Sequence, residues 1–313
     1  MNEPMNPRRA MTSADHLQGS IEGTSESGMP LVSVLTPSFN QARWLPDNLE
    51  SVRRQTYPRV EHIVMDGGST DGTVDLLGRA GPLVSWRSEP DGGQSDALNK
   101  AFALSSGEII GWINSDDGYF STTAVEEAVD YLQTHPDVDL VYGHSAYVNA
   151  TGRVLHLMWA PRFVRWWFRR QNYISQPTVF VRRRALEDRF VDTSFHFTMD
   201  YELWLRLSSG GHKFARIDGV VAFERVQPQR KSLTLTDVLT ENTDRLKGSY
   251  GIVSGGSLNA ALLSALGIFS RFMGVRLVRA ALDETAYAAP RSRLWELVRR
   301  QIAQRRSRME VGE

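Results

Sequence analysis

Residues 60–77 read VEHIVMDGGSTDGTVDLL, and this stretch decides the fold. The segment from Val60 to Met65 is apolar and β-branched enough to form a buried strand. The loop from Asp66 to Gly72 that follows is rich in turn residues, and an apolar helical pattern begins at Val74. The stretch therefore predicts a strand, a loop and a helix in succession.

The same alternation continues on both sides of this stretch. Further strands are predicted at 31–36, 82–86, 108–113 and 139–148, and helices at 44–52, 97–104 and 125–132. Beyond residue 150 the pattern is less regular, with strands near 178–181 and 213–218 and a helix at 200–207. Strands that alternate with helices indicate an α/β fold with a mostly parallel central sheet flanked by helices.

Composition excludes several classes of protein. The 313-residue chain has no cysteine, which excludes a Cys-ligated zinc site, an iron–sulfur centre and thiol catalysis. Its 36 basic and 36 acidic residues give a net charge of zero, which argues against nucleic acid as a partner. The charge is unevenly distributed, because residues 271–313 carry ten Arg against five acidic residues. An acidic body and a basic tail are therefore expected.

Polar residues follow four successive predicted strands. The four loops are PSFN at 37–40, DGGSTDG at 66–72, EPDGG at 89–93 and NSDD at 114–117. One such loop alone is most simply a turn, but the carboxyl ends of parallel strands form the ligand-binding edge of an open sheet. Adjacent carboxylates without cysteine suit Mg²⁺ or Mn²⁺, which usually keeps waters and bridges substrate phosphates.

These loops, together with MDYELWLRL at 199–207 and QPT at 176–178, resemble the family-2 inverting glycosyltransferases of GT-A fold. The resemblance covers about residues 31–235. It implies a nucleotide-sugar-binding half at 30–120 and an acceptor half at 121–235, after a disordered leader at 1–29. Residues 236–313 would form a helical, basic C-terminal extension.

The resemblance also implies a role for each matching residue. The donor nucleotide would contact Pro37, Ser38, Asn40, Asp66, Gly68, Asp71, Asp91 and Asp116. Asp117 and Asp116 would hold the divalent metal, Mn²⁺ or Mg²⁺. Asp200 would be the catalytic base, and a carboxylate suits that role because a sugar hydroxyl attacks poorly unless its proton is removed. Taken alone, Asp200 is better explained as an acidic residue favoured at a helix N-terminus, and only the family resemblance favours catalysis.

The chain departs from the family pattern at one place. Many relatives carry a His after the acceptor-side helix, whereas residues 223–232 read FERVQPQRKS. Either Gln227 takes that position, or a basic residue of this segment meets the diphosphate. Residues expected on the acceptor side are Trp166, Trp167, Gln176, Glu202 and Arg225. The Trp- and Arg-rich stretch at 159–170 is either an acceptor-binding flap or an amphipathic helix with buried Trp.

The expected function is transfer of a sugar from a nucleotide-diphospho sugar, most commonly a UDP-sugar, to a saccharide or lipid-linked acceptor in cell-envelope glycan synthesis. The alternative is a catalytically silent nucleotide-sugar-binding protein. The uncharged run 248–270 contains five Gly and five Ser, which argues against a membrane span. The C-terminal extension either contacts anionic lipid or packs on the domain or on a second subunit of a homo-oligomer. A cytoplasmic enzyme is expected, either free or peripheral on the membrane.

Overall fold

The computed structural model of the chain describes residues 28–187, 189–227 and 236–252. Its first half alternates strands and helices: β1 (Val32–Ser38), α1 (Leu45–Arg53), β2 (Val60–Asp66), α2 (Thr73–Leu77), β3 (Val84–Ser88), α3 (Gln94–Leu104) and β4 (Ile109–Trp112). The four strands pair in parallel in the order β3-β2-β1-β4. Their carboxyl ends therefore lie along one edge of the sheet, as the alternation predicts.

The second half departs from simple alternation. Its elements are β5 (Gly118–Tyr119), α4 (Ala124–Thr134), β6 (Leu140–Val148), β7 (Val154–Met158), α5 (Arg165–Phe168), β8 (Phe180–Arg182), α6 (Met199–Ser209), β9 (Phe214–Arg225) and α7 (Thr236–Ser249). The sheet continues in the order β4-β8-β6-β9-β5, with β7 paired to β6. β8 is antiparallel to β4 and β6, whereas β9 is parallel to β6. The central sheet is thus parallel in its first half and mixed beyond β4.

The sequence of β1 explains why the sheet is covered on both faces. All seven residues of this strand are buried, and successive side chains of a strand point to opposite faces. Leu35 joins a cluster with Leu98 of α3, whereas Val34 joins a second cluster with Val129 of α4. Burying one such aliphatic side chain contributes about 1.5–3 kcal/mol. Helices on both faces hold the sheet, and its carboxyl-terminal edge remains open.

The first and last described residues contact the domain. Gln133 donates a hydrogen bond to the carbonyl of Gly28, and Arg59 donates one to the carbonyl of Met29. Both residues belong to the stretch 1–29 that was expected as a leader, and the rest of that stretch, residues 1–27, lies outside the described residues. At the other end, Leu246 of α7 is fully buried in the core cluster that contains α6.

Among the described residues, no helix is long and apolar enough to cross a membrane. Most of the run 248–270 lies outside the described residues.

Candidate active site

A cleft of about 770 Å³ opens at the carboxyl-terminal edge of the parallel strands. The first half of the chain contributes predicted donor-site residues to its wall, namely Pro37, Ser38, Asp91, Asp116 and Asp117. The second half contributes Gln176 and Asp200. Residues predicted from separate motifs are therefore brought together around one cavity.

The loop after β1 presents polar atoms and an aromatic ring to this cleft. Ser38 Oγ and Gln41 Oε1 are buried and have no hydrogen-bond partner within the described residues. Buried polar groups are normally paired, so these two atoms suit contact with a polar ligand. Phe39, which stands between them in the sequence, lies on the cleft wall and is 59% exposed. The sequence motif alone did not identify Phe39 as a site residue. Its ring is available to stack on a flat group.

Asp66 lies beneath the site and does not line it. The side chain is buried, and Oδ2 accepts hydrogen bonds from the amide of Ser69 at 2.8 Å and from Ser88 Oγ at 2.7 Å. The amide of Gly68 and the hydroxyl of Ser69 also donate to this carboxylate. The expected contact of Asp66 with the nucleotide base is therefore not what the structure shows, because its oxygens are used to hold the loop after β2.

Asn40 and Asp71 also act on the loops and do not line the cleft. Asn40 has a positive φ of 52°, and its Oδ1 accepts a hydrogen bond from the amide of Thr70 at 3.0 Å. Asp71 Oδ2 accepts one from the amide of Ala42 at 2.9 Å. A Cβ atom placed on Gly68, at φ +84°, would lie 3.6 Å from the backbone nitrogen of Pro90 in the loop after β3. Asn40 and Asp71 thus tie the loops after β1 and β2 to each other.

Asp91 is the carboxylate that the loop after β3 presents to the cleft. Its Oδ1 accepts a hydrogen bond from the amide of Gly93 at 2.8 Å. A Cβ atom placed on Gly67 would lie 2.9 Å from Asp91 Oδ2. The carboxyl group of Asp91 therefore occupies space that exists only because residue 67 has no side chain.

Asp116 and Asp117 form an adjacent carboxylate pair in the loop between β4 and β5. Asp117 Oδ1 accepts a hydrogen bond from the backbone amide of Arg225 at 2.9 Å. Asp116 Oδ2 accepts one from Gln227 Nε2 at 2.7 Å. Gln227, one of the candidates for the position at which many relatives have a His, thus contacts Asp116 directly. The end of β9 positions both carboxylates.

The carboxylate pair fits a divalent cation that is shared with a diphosphate. Within the described residues, no group of three or more His, Cys, Asp or Glu side chains forms a metal site on its own. Mg²⁺ typically binds through one or two protein carboxylates, substrate phosphates and water, so a larger cluster is not required. The oxygen-only set offered by Asp116 and Asp117 matches this preference.

Arg225 does not lie on the acceptor side, which corrects the prediction for this residue. Its side chain is 1% exposed, and its Nη2 forms an ion pair with Asp47 Oδ2 at 2.8 Å. Nε donates to the carbonyl of Asp116 at 3.1 Å, and Nη1 donates to the carbonyl of Ala150 at 3.2 Å. The guanidinium also lies 4.7 Å from the ring centroid of Trp44. Arg225 holds the backbone of the carboxylate loop from below.

Three amides and one indole form the floor of the cleft. Gln94 Nε2 and Trp112 Nε1 both donate to Asn114 Oδ1, at 2.8 and 2.9 Å. Asn114 Nδ2 donates to Gln176 Oε1 at 3.1 Å, and Gln176 Nε2 donates to the carbonyl of Trp112 at 2.5 Å. Gln176 therefore joins the two halves of the site at its floor.

Asp200 enters the cleft from the first turn of α6. It is half-buried, and its Oδ2 accepts a hydrogen bond from Asn172 Nδ2 at 3.3 Å. Desolvation raises the pKa of Asp200 to about 6, and the nearby Glu224 acts in the same direction. Asn172 and two backbone amides oppose this rise in pKa. Asp200 is ionised at neutral pH and remains a stronger base than an ordinary aspartate.

Three other predicted acceptor-side residues face away from the cleft. Glu202 is buried, forms an ion pair with Arg206 at 3.3 Å and accepts a hydrogen bond from Tyr250 at 3.0 Å. Trp166 is 56% exposed on α5, and Trp167 packs behind Tyr173 with ring centroids 4.9 Å apart. The cleft is lined instead by Tyr173, together with Asn172 and Glu224. Asn172 and Tyr173 lie outside the quoted motifs, and Glu224 lies in the 223–232 segment without having been assigned a role. All three are brought to the cleft by the tertiary fold.

Comparison with known proteins identifies the family. A family model described as Glycosyl transferase family 2 matches residues 33–190, just over half of the chain. An uncharacterized glycosyltransferase of Mycobacterium tuberculosis is 41% identical over 116 residues, covering 36% of this chain and 44% of the relative. Chondroitin synthase of Pasteurella multocida is 28% identical over 250 residues, covering 78% of this chain and 25% of the synthase. The chain spans less than half the length of these curated relatives.

Solved structures show the same fold. Residues 1–349 of TarS of S. aureus, in complex with UDP, superpose with a TM-score of 0.54 at 20% identity, covering 69% of this chain and 64% of the TarS fragment. The mannosyltransferase PcManGT from Pyrobaculum calidifontis, in complex with GDP-Man and Mn²⁺, gives a TM-score of 0.51 at 18% identity, covering 91% and 88%. These likenesses confirm the predicted GT-A fold. With the family model matched over the strands and loops that build the cleft, the chain belongs to glycosyl transferase family 2.

Proposed function

We propose that this protein is an inverting glycosyltransferase that moves a sugar from a nucleotide-diphospho sugar to an acceptor hydroxyl. The observation that carries the proposal is the common cleft of Asp116, Asp117 and Asp200. The first two come from the half that resembles a nucleotide-sugar site, and the third comes from the opposite half. One cavity can thus hold the leaving diphosphate and also provide the base that acts on the acceptor.

The donor would bind along the loops after β1, β3 and β4. Ser38 and Gln41 offer polar atoms without a partner among the described residues, and Asp91 offers a carboxylate that can accept from a base N–H. Phe39 offers its exposed ring for stacking on the base. The relatives' structures hold UDP and GDP-Man, which supports a nucleoside diphosphate as the shared part of the donor.

Asp200 would act as the base in a single displacement. Its carboxylate takes the proton of the acceptor hydroxyl while that oxygen forms a bond to the anomeric carbon. The bond from this carbon to the diphosphate oxygen breaks, and the nucleoside diphosphate leaves. Attack from the side opposite the leaving group inverts the anomeric centre. A half-buried carboxylate that is nevertheless open to the cleft suits this proton transfer.

Asp116 and Asp117 would hold a divalent cation, Mn²⁺ or Mg²⁺, at the diphosphate. A cation in this position neutralises the negative charge of a leaving diphosphate. The two carboxylates, which both line the cavity, are held in place by hydrogen bonds from Gln227 and from the amide of Arg225. PcManGT is a related case whose structure holds Mn²⁺.

The acceptor would be a saccharide or a lipid-linked saccharide of a cell-envelope glycan. Support comes from relatives named for glycan assembly, including chondroitin synthase and a PGL/p-HBAD biosynthesis glycosyltransferase of Mycobacterium bovis, which is 32% identical over 118 residues. Tyr173 and Trp159 line the acceptor wall, and aromatic rings of this kind pack against sugar rings. Membrane contact by the basic C-terminal extension stays a prediction, because residues 253–313 lie outside the described residues.

A thermal-shift series tests the donor. UDP, GDP, UDP-GlcNAc and GDP-mannose are added with and without Mn²⁺, and the matching nucleotide is expected to raise the melting temperature most. A ligand at 100 times its Kd stabilises the folded state by about 2.7 kcal/mol. Asp117→Ala is expected to remove the part of the shift that depends on Mn²⁺.

Turnover then separates an enzyme from a silent binder. Consumption of the stabilising nucleotide sugar is followed with a mixture of saccharide acceptors, and Asp117→Ala is expected to abolish it. Unchanged turnover in Asp117→Ala would contradict the assignment of the carboxylate pair. Strong nucleotide binding without product from any acceptor would favour the catalytically silent alternative.

A further inference from the structure

Glu224 is a buried acidic residue of the cleft to which the proposed reaction assigns no role. It lies near the end of β9 with 7% of its surface exposed, and it lines the same cavity as Asp200. Its Oε1 accepts hydrogen bonds from Ser175 Oγ at 2.5 Å and from Ser145 Oγ at 3.2 Å. Burying a charge is costly unless polar partners compensate, and the two hydroxyls supply such partners.

One short segment holds both acidic residues. Asn172 Nδ2 donates to Asp200 Oδ2, and three residues later Ser175 Oγ donates to Glu224 Oε1. Residues 172–177 also line the cavity between α6 and β9. The two carboxylates are therefore fixed relative to each other by the same stretch of backbone, even though they come from different elements.

We propose that Glu224 is a positioning residue for Asp200: its negative charge, fixed in the same cleft by Ser145 and Ser175, adds to desolvation in strengthening the hold of Asp200 on a proton. A second negative charge in a partly desolvated site disfavours ionisation of the first. The effect of Glu224 on Asp200 acts in this direction, as does desolvation, whereas the hydrogen bond from Asn172 opposes both.

Other ionisable groups surround Asp200. Tyr201 follows it on α6, Tyr173 lies on the 172–177 segment, and His196 precedes α6. Asp116 and Asp117 line the opposite wall, and Arg169 interacts with Tyr201. Of the causes that raise the pKa of Asp200, desolvation is the largest, and the charge of Glu224 adds to it. A base whose pKa is close to the working pH transfers protons most effectively, so this interaction would serve catalysis.

The test measures the proton affinity of Asp200 without any substrate. The full chain is labelled with ¹³Cγ-aspartate, the Asp200 signal is assigned by its loss in Asp200→Asn, and its chemical shift is followed from pH 4 to pH 8. Titration near pH 6 is expected for the wild type. Glu224→Gln is expected to lower the pKa of Asp200. Asn172→Ala is expected to raise it, because the ionised form loses a hydrogen bond.

Glu202→Gln provides a matched control. It removes a buried carboxylate from the same helix, but Glu202 faces Arg206 and Tyr250 and lies away from the cleft. The proposal expects no comparable shift in this variant. Equal shifts in Glu202→Gln and Glu224→Gln, or no shift in Glu224→Gln, would overturn it.

Glu224→Asp covers the case in which the Gln variant fails to fold. This substitution keeps the charge, so the fall in the pKa of Asp200 is expected to be smaller than for loss of the charge. A fall in the pKa of Asp200 that is larger than any shift caused by Glu202→Gln, with Glu224→Asp folded, supports coupling. An unchanged pKa of Asp200 in folded Glu224→Asp overturns it.

The meaning of this coupling for catalysis rests on the proposed function, but its measurement does not. If the pKa of Asp200 responds to Glu224 while no donor is consumed, the inference stands and the proposed function fails. If donor is consumed while the pKa of Asp200 does not change on substitution of Glu224, the proposed function stands and the inference fails.

Discussion

The two walls of the cleft are built in different ways. On the donor wall, polar residues lie at or shortly after the ends of parallel strands: Ser38 ends β1, Asp91 lies in the loop after β3, and Asp117 lies in the loop after β4. On the acceptor wall, the contacts join distant parts of the chain: Ser145 and Glu224 are 79 positions apart, and β6 and β9 bring them together. The donor wall therefore follows from local pattern and the acceptor wall from tertiary pairing.

This difference decides which wall of the cleft can be predicted from the sequence. Donor-wall residues can be recognised because a parallel strand carries its ligand contacts at its carboxyl end. Acceptor-wall residues lie on a mixed sheet and on irregular segments, where no such rule applies. Substitutions on the donor wall should accordingly affect donor binding, and substitutions on the acceptor wall should affect turnover.

The largest expected effect separates the walls by function. Asp200→Asn is expected to lower turnover by about 10²–10⁴-fold, since that is the usual contribution of a general base. The Kd of the nucleoside diphosphate, measured by calorimetry, should remain at its wild-type value. In the wild type, turnover should fall as the pH drops below about 6, because protonated Asp200 cannot accept a proton. Wild-type turnover in Asp200→Asn would remove this residue from the reaction.

The next effect concerns the link between the walls. Arg225→Met is expected to lower the free energy of unfolding by about 3 kcal/mol, because Asp47 and the carbonyls of Asp116 and Ala150 lose a buried cationic donor. Urea denaturation measures the loss. Arg53→Met is the control, since its ion pair with Glu50 is exposed and should contribute little. Equal stability of the two variants would show that Arg225 does not support the loop.

The smallest effect is confined to the donor wall. In Gly67→Ala the new Cβ displaces the carboxyl group of Asp91, which lies 2.9 Å away. Donor binding is expected to weaken about tenfold, or about 1.4 kcal/mol, with little change in melting temperature. Gly78→Ala is the control, because the nearest heavy atom outside the adjacent residues would lie 3.6 Å from the added Cβ, which is an ordinary contact distance. An unaltered Kd in Gly67→Ala would indicate that Asp91 does not contact the donor.

The alternation of strands and helices predicts the first half of the fold well, including the convergence of the loops that carry Ser38, Asp91 and Asp117. It does not predict the antiparallel insertion of β8 between β4 and β6, because Phe180–Arg182 is too short to show a period. Motif matching placed Asp66 at the ligand, whereas the structure uses it to hold a loop. Arg225 was misplaced because a charged side chain is rarely fully buried, and only the tertiary structure reveals its partners.

The hydrogen bonds among the amides on the floor of the cleft run in one direction. Gln94 donates to Asn114, Asn114 donates to Gln176, and Gln176 donates to the carbonyl of Trp112, which can only accept. The orientation of each amide is therefore dictated by the next, and turning one of them would place two donors or two acceptors face to face. None of these groups gains or loses a proton across the physiological range. The floor thus presents a fixed arrangement of donors and acceptors to the cleft at every pH at which Asp200 changes its charge.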